Sequence, residues 1–211
     1  MGRVRTIRRK PERGRNYYLI DTCFLANKYI PIKVAPSPDE KERLRQCAAW
    51  WREITVQLKA GRARIYVPDV CIAEAFKVLA KKYYLDKWFK NSDEYKRARD
   101  KLSRDLRTHP KDLKATRRSI LYHDISTSRD IIIAVDRFFE VLMKDDKNVQ
   151  VADFILLATA KYLMDFYDIP RASLHIVTLD GDLRSGIKKV SELPNAYDPT
   201  RPADACERIF V

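Results

Sequence analysis

Apolar residues along this chain fall into a few short unbroken runs, separated by longer stretches of helical periodicity. Tyr17 to Ile20 and Ile65 to Val67, the latter closed by Pro68, are short and rich in aromatic and β-branched residues, as is the longer run from Ser173 to Leu179. Such runs fit strands buried on both faces of a parallel sheet. Between the first two, Ser37-Pro38-Asp39-Glu40 places Ser at an N-cap, Pro at N1 and Glu at N3, a capping box that opens a helix. Leu44, Cys47, Ala48, Trp51, Ile54 and Leu58 then recur at helical spacing, and Gly61 closes the helix at C′. Asp69 is placed to cap a further helix from Val70 to about Tyr84. Ile131 to Met143 reads as one amphipathic helix, and Phe154 to Ala160, apolar on nearly every side, as a buried one. Two helices broken near His109-Pro110, with Ser119 to Tyr122 as a further strand, are expected in between. Pro194 onward reads as an irregular tail with an apolar clamp at Ile209-Phe210-Val211. Strand and helix alternate, which predicts an α/β fold, a three-layer α/β/α sandwich around a parallel central sheet.

Composition narrows the class. With 211 residues, 45% of them hydrophobic and only five glycines, the chain can bury one substantial core. The four cysteines, Cys23, Cys47, Cys71 and Cys206, are far apart and form no CxxC pair. They read as reduced thiols, and a cytoplasmic location is expected. No run approaches the twenty apolar residues a spanning helix needs, so no membrane partner is expected.

Charge adds a direction. The net charge is +13, and it is concentrated. Residues 1–16 carry seven bases against one acid, a net +6, and form a basic N-terminal arm that includes Arg8, Arg9 and Lys10. Residues 84–125 carry twelve bases against seven acids, a net +5, and form a basic helical insertion that includes Arg97, Arg99, Lys101 and Arg104. Clustered positive charge suits a phosphate backbone, although a solvated face of i,i+4 pairs remains the alternative for the insertion. Trp88, Phe89 and Tyr95 in that segment fit packing against the body better than stacking of bases.

Four acids stand where chemistry is expected. Asp21 and Asp180 directly follow the strands Tyr17–Ile20 and Ile176–Leu179, at the edge of a parallel sheet where ligand crevices form. Glu74 and Asp153 lie at or near helix starts, and those share the same edge. Each acid also has a local reading: a cap at Asp21 or Asp153, an i,i+3 pair of Glu74 with Lys77, a plain turn at Asp180-Gly181-Asp182. Together, four carboxylates on one edge repel unless a cation intervenes, and hard oxygen donors select Mg²⁺ or Mn²⁺. The histidines His109, His123 and His175 read as surface or packing residues, His175 being at the wrong end of its strand.

In order along the chain, Ile20-Asp21-Thr22, Val67-Pro68 with Ala73-Glu74, Ala152-Asp153 with Leu156-Leu157-Ala158-Thr159-Ala160, and Val177-Thr178-Leu179-Asp180-Gly181-Asp182 resemble the four acidic motifs of PIN-domain nucleases. The family includes the toxins of VapBC toxin–antitoxin pairs and RNA-processing nucleases. The resemblance covers residues 17 to about 190 and implies a PIN-like domain, here 17–211, carrying the insertion at 84–125. It implies a divalent-metal-dependent endoribonuclease acting on RNA, with an antitoxin protein or a homodimer partner. By motif, Asp21, Glu74, Asp153 and Asp180 become the catalytic acids, with Asp21, Asp153, Asp180 and the auxiliary Asp182 on the metal, and Thr22 and Thr178 as hydroxyl donors beside it. Compact PIN toxins lack so long an insertion and a basic arm. Two other functions fit the same features: a PIN-like nucleic-acid-binding protein without turnover, and a structure-specific DNA nuclease.

Overall fold

The computed structural model of the protein describes residues 14–107, 111, 121–143, 149–202 and 207–210. Five strands form one sheet in the order β3-β2-β1-β4-β5, with every neighbouring pair parallel. They are β1 (Asn16–Ile20), β2 (Ala63–Pro68), β3 (His123–Ile125), β4 (Leu174–Val177) and β5 (Asn195–Tyr197). The expected parallel α/β/α architecture is what the chain forms. The strand order reverses at β1, so β1 is flanked by β2 and β4, and a crevice opens beyond the carboxyl ends of β1 and β4.

The helices among the described residues are α1 (Thr22–Asn27), α2 (Pro38–Lys59), α3 (Asp69–Tyr84), α4 (Ser92–Asp105), α5 (Arg129–Ala134), α6 (Asp136–Met143), α7 (Val151–Tyr167), α8 (Gly181–Ile187) and α9 (Glu207–Phe210). α2 begins as its sequence predicts, with the Ser37 hydroxyl accepting from the Glu40 amide at 3.2 Å. The chain leaves it through Gly61 at φ +71°, a left-handed turn that glycine adopts without steric cost. α2 and α9 cover the face carrying Tyr18 and His175. Trp50 of α2 meets Phe210 edge-on at 5.0 Å, and its indole N–H donates to the Arg201 carbonyl at 2.6 Å. α7 packs over β2 and β4 and is buried from Phe154 to Ala160 except at Ile155, which is half-buried, as that all-round apolar stretch requires.

Several expectations are corrected. Of the strand expected over Ser119–Tyr122, Ser119 and Ile120 lie outside the described residues, and Leu121 and Tyr122 precede β3, whose residues His123 to Ile125 pair with β2 at Tyr66 to Pro68. The segment from Pro194 is less irregular than its composition suggests: β5 pairs with β4, and α9 docks on Trp50. Asp69 lies inside α3, whose N-cap is Pro68, and its side chain makes no cap bond. The helix expected over Ile131–Met143 is two, α5 and α6, parted at Val135. The break at His109-Pro110 and the thiol of Cys206 lie outside the described residues, as do Arg8, Arg9 and Lys10.

α4 is the described helix of the basic insertion, and it is tied to the body. Ala98 and Leu102 are buried, and Asn91 caps the helix by accepting from the Glu94 amide at 2.9 Å. Trp88 and Phe89 are also buried, and Tyr95 stacks on Tyr83 at 4.8 Å, so these aromatics pack the insertion against α3. No helix among the described residues is long and apolar enough to cross a membrane.

Candidate metal centre

β1 delivers Asp21 to the sheet edge. The Asp21 amide donates to the Val177 carbonyl at 3.1 Å, extending the β1–β4 ladder by one step, so Asp21 lies beside Thr178. Asp21 is 7% exposed and accepts two bonds, from the Thr178 hydroxyl at 2.9 Å and from the Thr22 amide at 2.6 Å. Burial pushes its pKa up from 3.8 to about 7. The carboxylates of Asp153 and Asp180 add to that rise, and the bonds from Thr178 and Thr22 oppose it.

Thr178 serves two acids. Its hydroxyl donates to Asp21 and accepts from the Asp180 amide at 3.0 Å. Asp180 is the N-cap of α8, accepting from the Leu183 amide at 2.8 Å, so the local alternative of a plain turn there gives way to the start of a helix. Arg184 steadies the loop, donating to the Thr178 carbonyl at 2.9 Å and pairing with Asp198 at 2.7 Å.

The other two acids come from helices. Glu74, in the second turn of α3, accepts from the Thr22 hydroxyl at 3.0 Å. Asp153 is the third residue of α7, and its carboxylate accepts from the Gln150 amide at 2.9 Å, so Gln150 rather than Asp153 is the N-cap. Burial also raises Asp153, to about 6, with Asp180 and Glu74 contributing repulsion and the Gln150 amide opposing it.

Asp21, Glu74, Asp153 and Asp180 line one crevice of about 320 Å³ together with Lys77 and Lys81. Lys77 is named by the sequence only as an i,i+3 partner of Glu74, and Lys81 does not stand out. Their signal is spacing, since they follow Glu74 at i+3 and i+7 on the same face of α3. Asp182 sits exposed in the first turn of α8 and is not among the lining residues. The α4 bases are elsewhere too: Arg97 and Lys101 border a separate depression with Lys28 and Lys33, and Arg99 pairs with Asp100 at 3.0 Å. Among the described residues, the cations that line the crevice are the two lysines of α3.

The donors fit a hard divalent cation by type. All four are carboxylates, and the raised Asp21 and Asp153 reflect burial and repulsion that a positive charge would relieve. Among the described residues no three His, Cys, Asp or Glu side chains converge on one point as they are oriented, so a shared cation would need some of these side chains to turn toward it. A larger groove of about 570 Å³, lined by Ile30, Ile32, Leu44, Trp51 and Val56 among others, contains none of the acids. Donor chemistry rather than size marks the site.

His175 is buried at the opposite edge, its Nε2 3.1 Å from Asn16 Oδ1 and its ring against Tyr18 and Tyr197. Burial lowers its pKa to about 4, which makes it a neutral packing residue. Of the described thiols, Cys47 and Cys71 are buried and Cys23 is exposed, and none of the three is in a disulfide.

No protein-family model matches this chain, and no curated protein matches it in sequence. In fold it is similar to a structure of FitAB bound to an IR36 DNA fragment, at 15% identity and TM-score 0.50, covering 87% of this chain and 96% of that one. VapBC2 from Rickettsia felis bound to a promoter DNA fragment aligns at 12% identity and TM-score 0.49, over 86% and 98% of the two chains. FitAcB from Neisseria gonorrhoeae aligns at 16% identity and TM-score 0.48, over 86% and 97%. What the chain shares with FitAB is the fold.

Proposed function

We propose that this protein is a divalent-metal-dependent endoribonuclease of the PIN type. The observation that carries the reading is the gathering of Asp21, Glu74, Asp153 and Asp180 around one crevice at the point where the strand order reverses. Mg²⁺ or Mn²⁺ held by Asp21, Asp153 and Asp180, with Glu74 alongside, would supply activation of water for in-line attack on phosphorus and neutralise charge on the leaving oxygen. The chain's own residues prepare that site. Thr178 orients the Asp21 carboxylate, and Thr22 orients Glu74. Lys77 and Lys81 offset the negative edge and let a phosphate backbone approach it. Burial holds the Asp21 pKa at about 7 in the metal-free protein, and as a ligand Asp21 would act in its ionised form. Asp182, exposed one turn away, is an auxiliary acid at most.

A binding protein without turnover has no use for four clustered acids, which repel nucleic acid. The resemblance of the acidic motifs to those of VapBC toxins supports an antitoxin-like protein partner, tested by co-expression and co-purification with the product of an adjacent gene. The nuclease reading is tested by incubating single-stranded RNA, duplex RNA and branched DNA with the protein in Mg²⁺, Mn²⁺ or EDTA. Cleavage of single-stranded RNA with metal, abolished by EDTA and by Asp21→Asn, is the expected result. Cleavage confined to branched DNA would move the assignment to a DNA nuclease.

A further inference from the structure

α3 carries more than Glu74 on its crevice side. Lys77 and Lys81 are the cationic residues in the described lining of the crevice, with Val78 between them. Tyr84 lies seven residues beyond Lys77. Seven residues are nearly two full turns, so the two side chains leave the helix on the same side, about 10 Å apart along its axis.

Tyr84 is 59% exposed, and its neighbour Leu85 is 71% exposed. Its ring is nonetheless held. It stands edge-on to Tyr83 at 4.7 Å and 65°, and to Tyr95 of α4 at 5.8 Å and 69°. Those two rings stack on each other at 4.8 Å and 4°. The Tyr83–Tyr95 stack welds α4 to the end of α3 and sets Tyr84 upright in solvent, so little rotamer freedom is left to lose when a second flat group packs on it.

We infer that α3 is the substrate track, with the phosphates of an RNA single strand following Lys77 and Lys81 away from the acids and a base stacking on Tyr84. The inference rests on the endoribonuclease reading of the same site and assigns the substrate's path. A four-carboxylate edge repels a polyanion, and Lys77 and Lys81 relieve that repulsion where the strand must enter. An exposed aromatic next to them supplies the sequence-tolerant contact that single-strand binders use, because every base has a flat face. A duplex buries its base faces and cannot use Tyr84, so the track selects single strands.

The test measures anisotropy of a labelled single-stranded oligoribonucleotide across salt concentrations, in an Asp21→Asn background that does not cleave. Lys77→Gln with Lys81→Gln should lower the log–log salt slope by about 1.4, since each single-strand phosphate contact contributes about 0.7. Tyr84→Ala should weaken binding roughly tenfold with the slope unchanged, and Tyr84→Phe, which keeps the ring, should bind as the parent does. With Asp21 restored, the Tyr84→Ala loss should fall on KM. Thermal melts check that each variant folds. If the parent binds while the lysine pair and Tyr84→Ala bind equally well with the same slope, the track is wrong; a loss seen instead in Arg97→Gln with Lys101→Gln would move the path to α4. If the protein with Asp21 intact neither binds nor cleaves RNA, the endoribonuclease reading falls first and the track with it.

Discussion

At the residue scale, Asp21 concentrates the site's electrostatics. Its folded pKa of about 7 lies above the unfolded value of 3.8, so between these pH values the folded state keeps a proton that the unfolded chain has lost. Metal-free protein should therefore lose stability as pH rises from about 4 to 7, by about 2–4 kcal/mol from this group. Asp21→Asn should shrink that loss, leaving a metal-free protein more stable than the parent at pH 8 while abolishing cleavage. Urea titrations at pH 5 and pH 8 measure the difference, and equal slopes in the two proteins would show that Asp21 is not held protonated. Mg²⁺ affinity should fall as pH drops below about 7, because ligation needs the carboxylate. Asp153 separates capping from chemistry. Asp153→Asn keeps an oxygen for the Gln150 amide but removes the charge, so melting temperature should hold within a few degrees while Mg²⁺-dependent cleavage drops by at least about a hundredfold. Retained cleavage would reduce Asp153 to a helix-end residue.

At the element scale, α4 hangs on a buried polar knot. Lys28, just past α1, donates to the Tyr122 hydroxyl at 2.5 Å and lies over the Trp51 and Tyr122 rings at 4.5 and 4.8 Å. Tyr29 joins it, 2.7 Å from the Tyr122 hydroxyl and donating to Asp105, at the end of α4, at 3.2 Å. Burial lowers the Lys28 pKa from 10.5 to about 8, Asp105 working against that fall and Lys101 adding to it. Above pH 8 the unfolded chain holds a proton that folded Lys28 has released, so this group makes stability rise with pH from about 8 toward 10. Lys28→Met should remove that contribution, seen as a difference between variant and parent melting temperatures that changes between pH 7.5 and 9.5. Tyr122→Phe strands the Lys28 ammonium and should cost about 1–3 kcal/mol, with faster amide exchange in α4. A uniform change across the molecule would mean that α4 does not depend on the knot.

At the scale of the whole molecule, the charge of +13 predicts RNA binding that weakens steeply with salt. Deleting residues 1–13, which carry +5 and stop short of β1, should flatten that dependence more than it alters cleavage at saturating RNA, and an unchanged slope would place the arm off the RNA path. The sequence by itself determined the strands at Tyr17–Ile20 and Ile65–Pro68, most of the strand expected over Ser173–Leu179, which ends at Val177, the helix from Pro38 with its Ser37 cap and Gly61 exit, and the four acids in their order. These are local properties: two-faced burial writes an unbroken apolar run, a cap needs a hydroxyl or carbonyl at one position, and an acid closing a strand is visible as such. Only the tertiary structure decided that β1 lies against β4, which brings Asp21 and Asp180 onto one threonine, and that Asn195–Tyr197, with no apolar run of its own, becomes an edge strand because β4 offers it a partner. Only packing decided which bases face the acids. Lys77 and Lys81 look like any helix surface, and the denser charge of α4 points elsewhere because Ala98 and Leu102 turn its other face to the core. Periodicity reports what each segment buries, whereas the neighbour it is buried against depends on contacts between residues far apart in the chain, which no local pattern encodes.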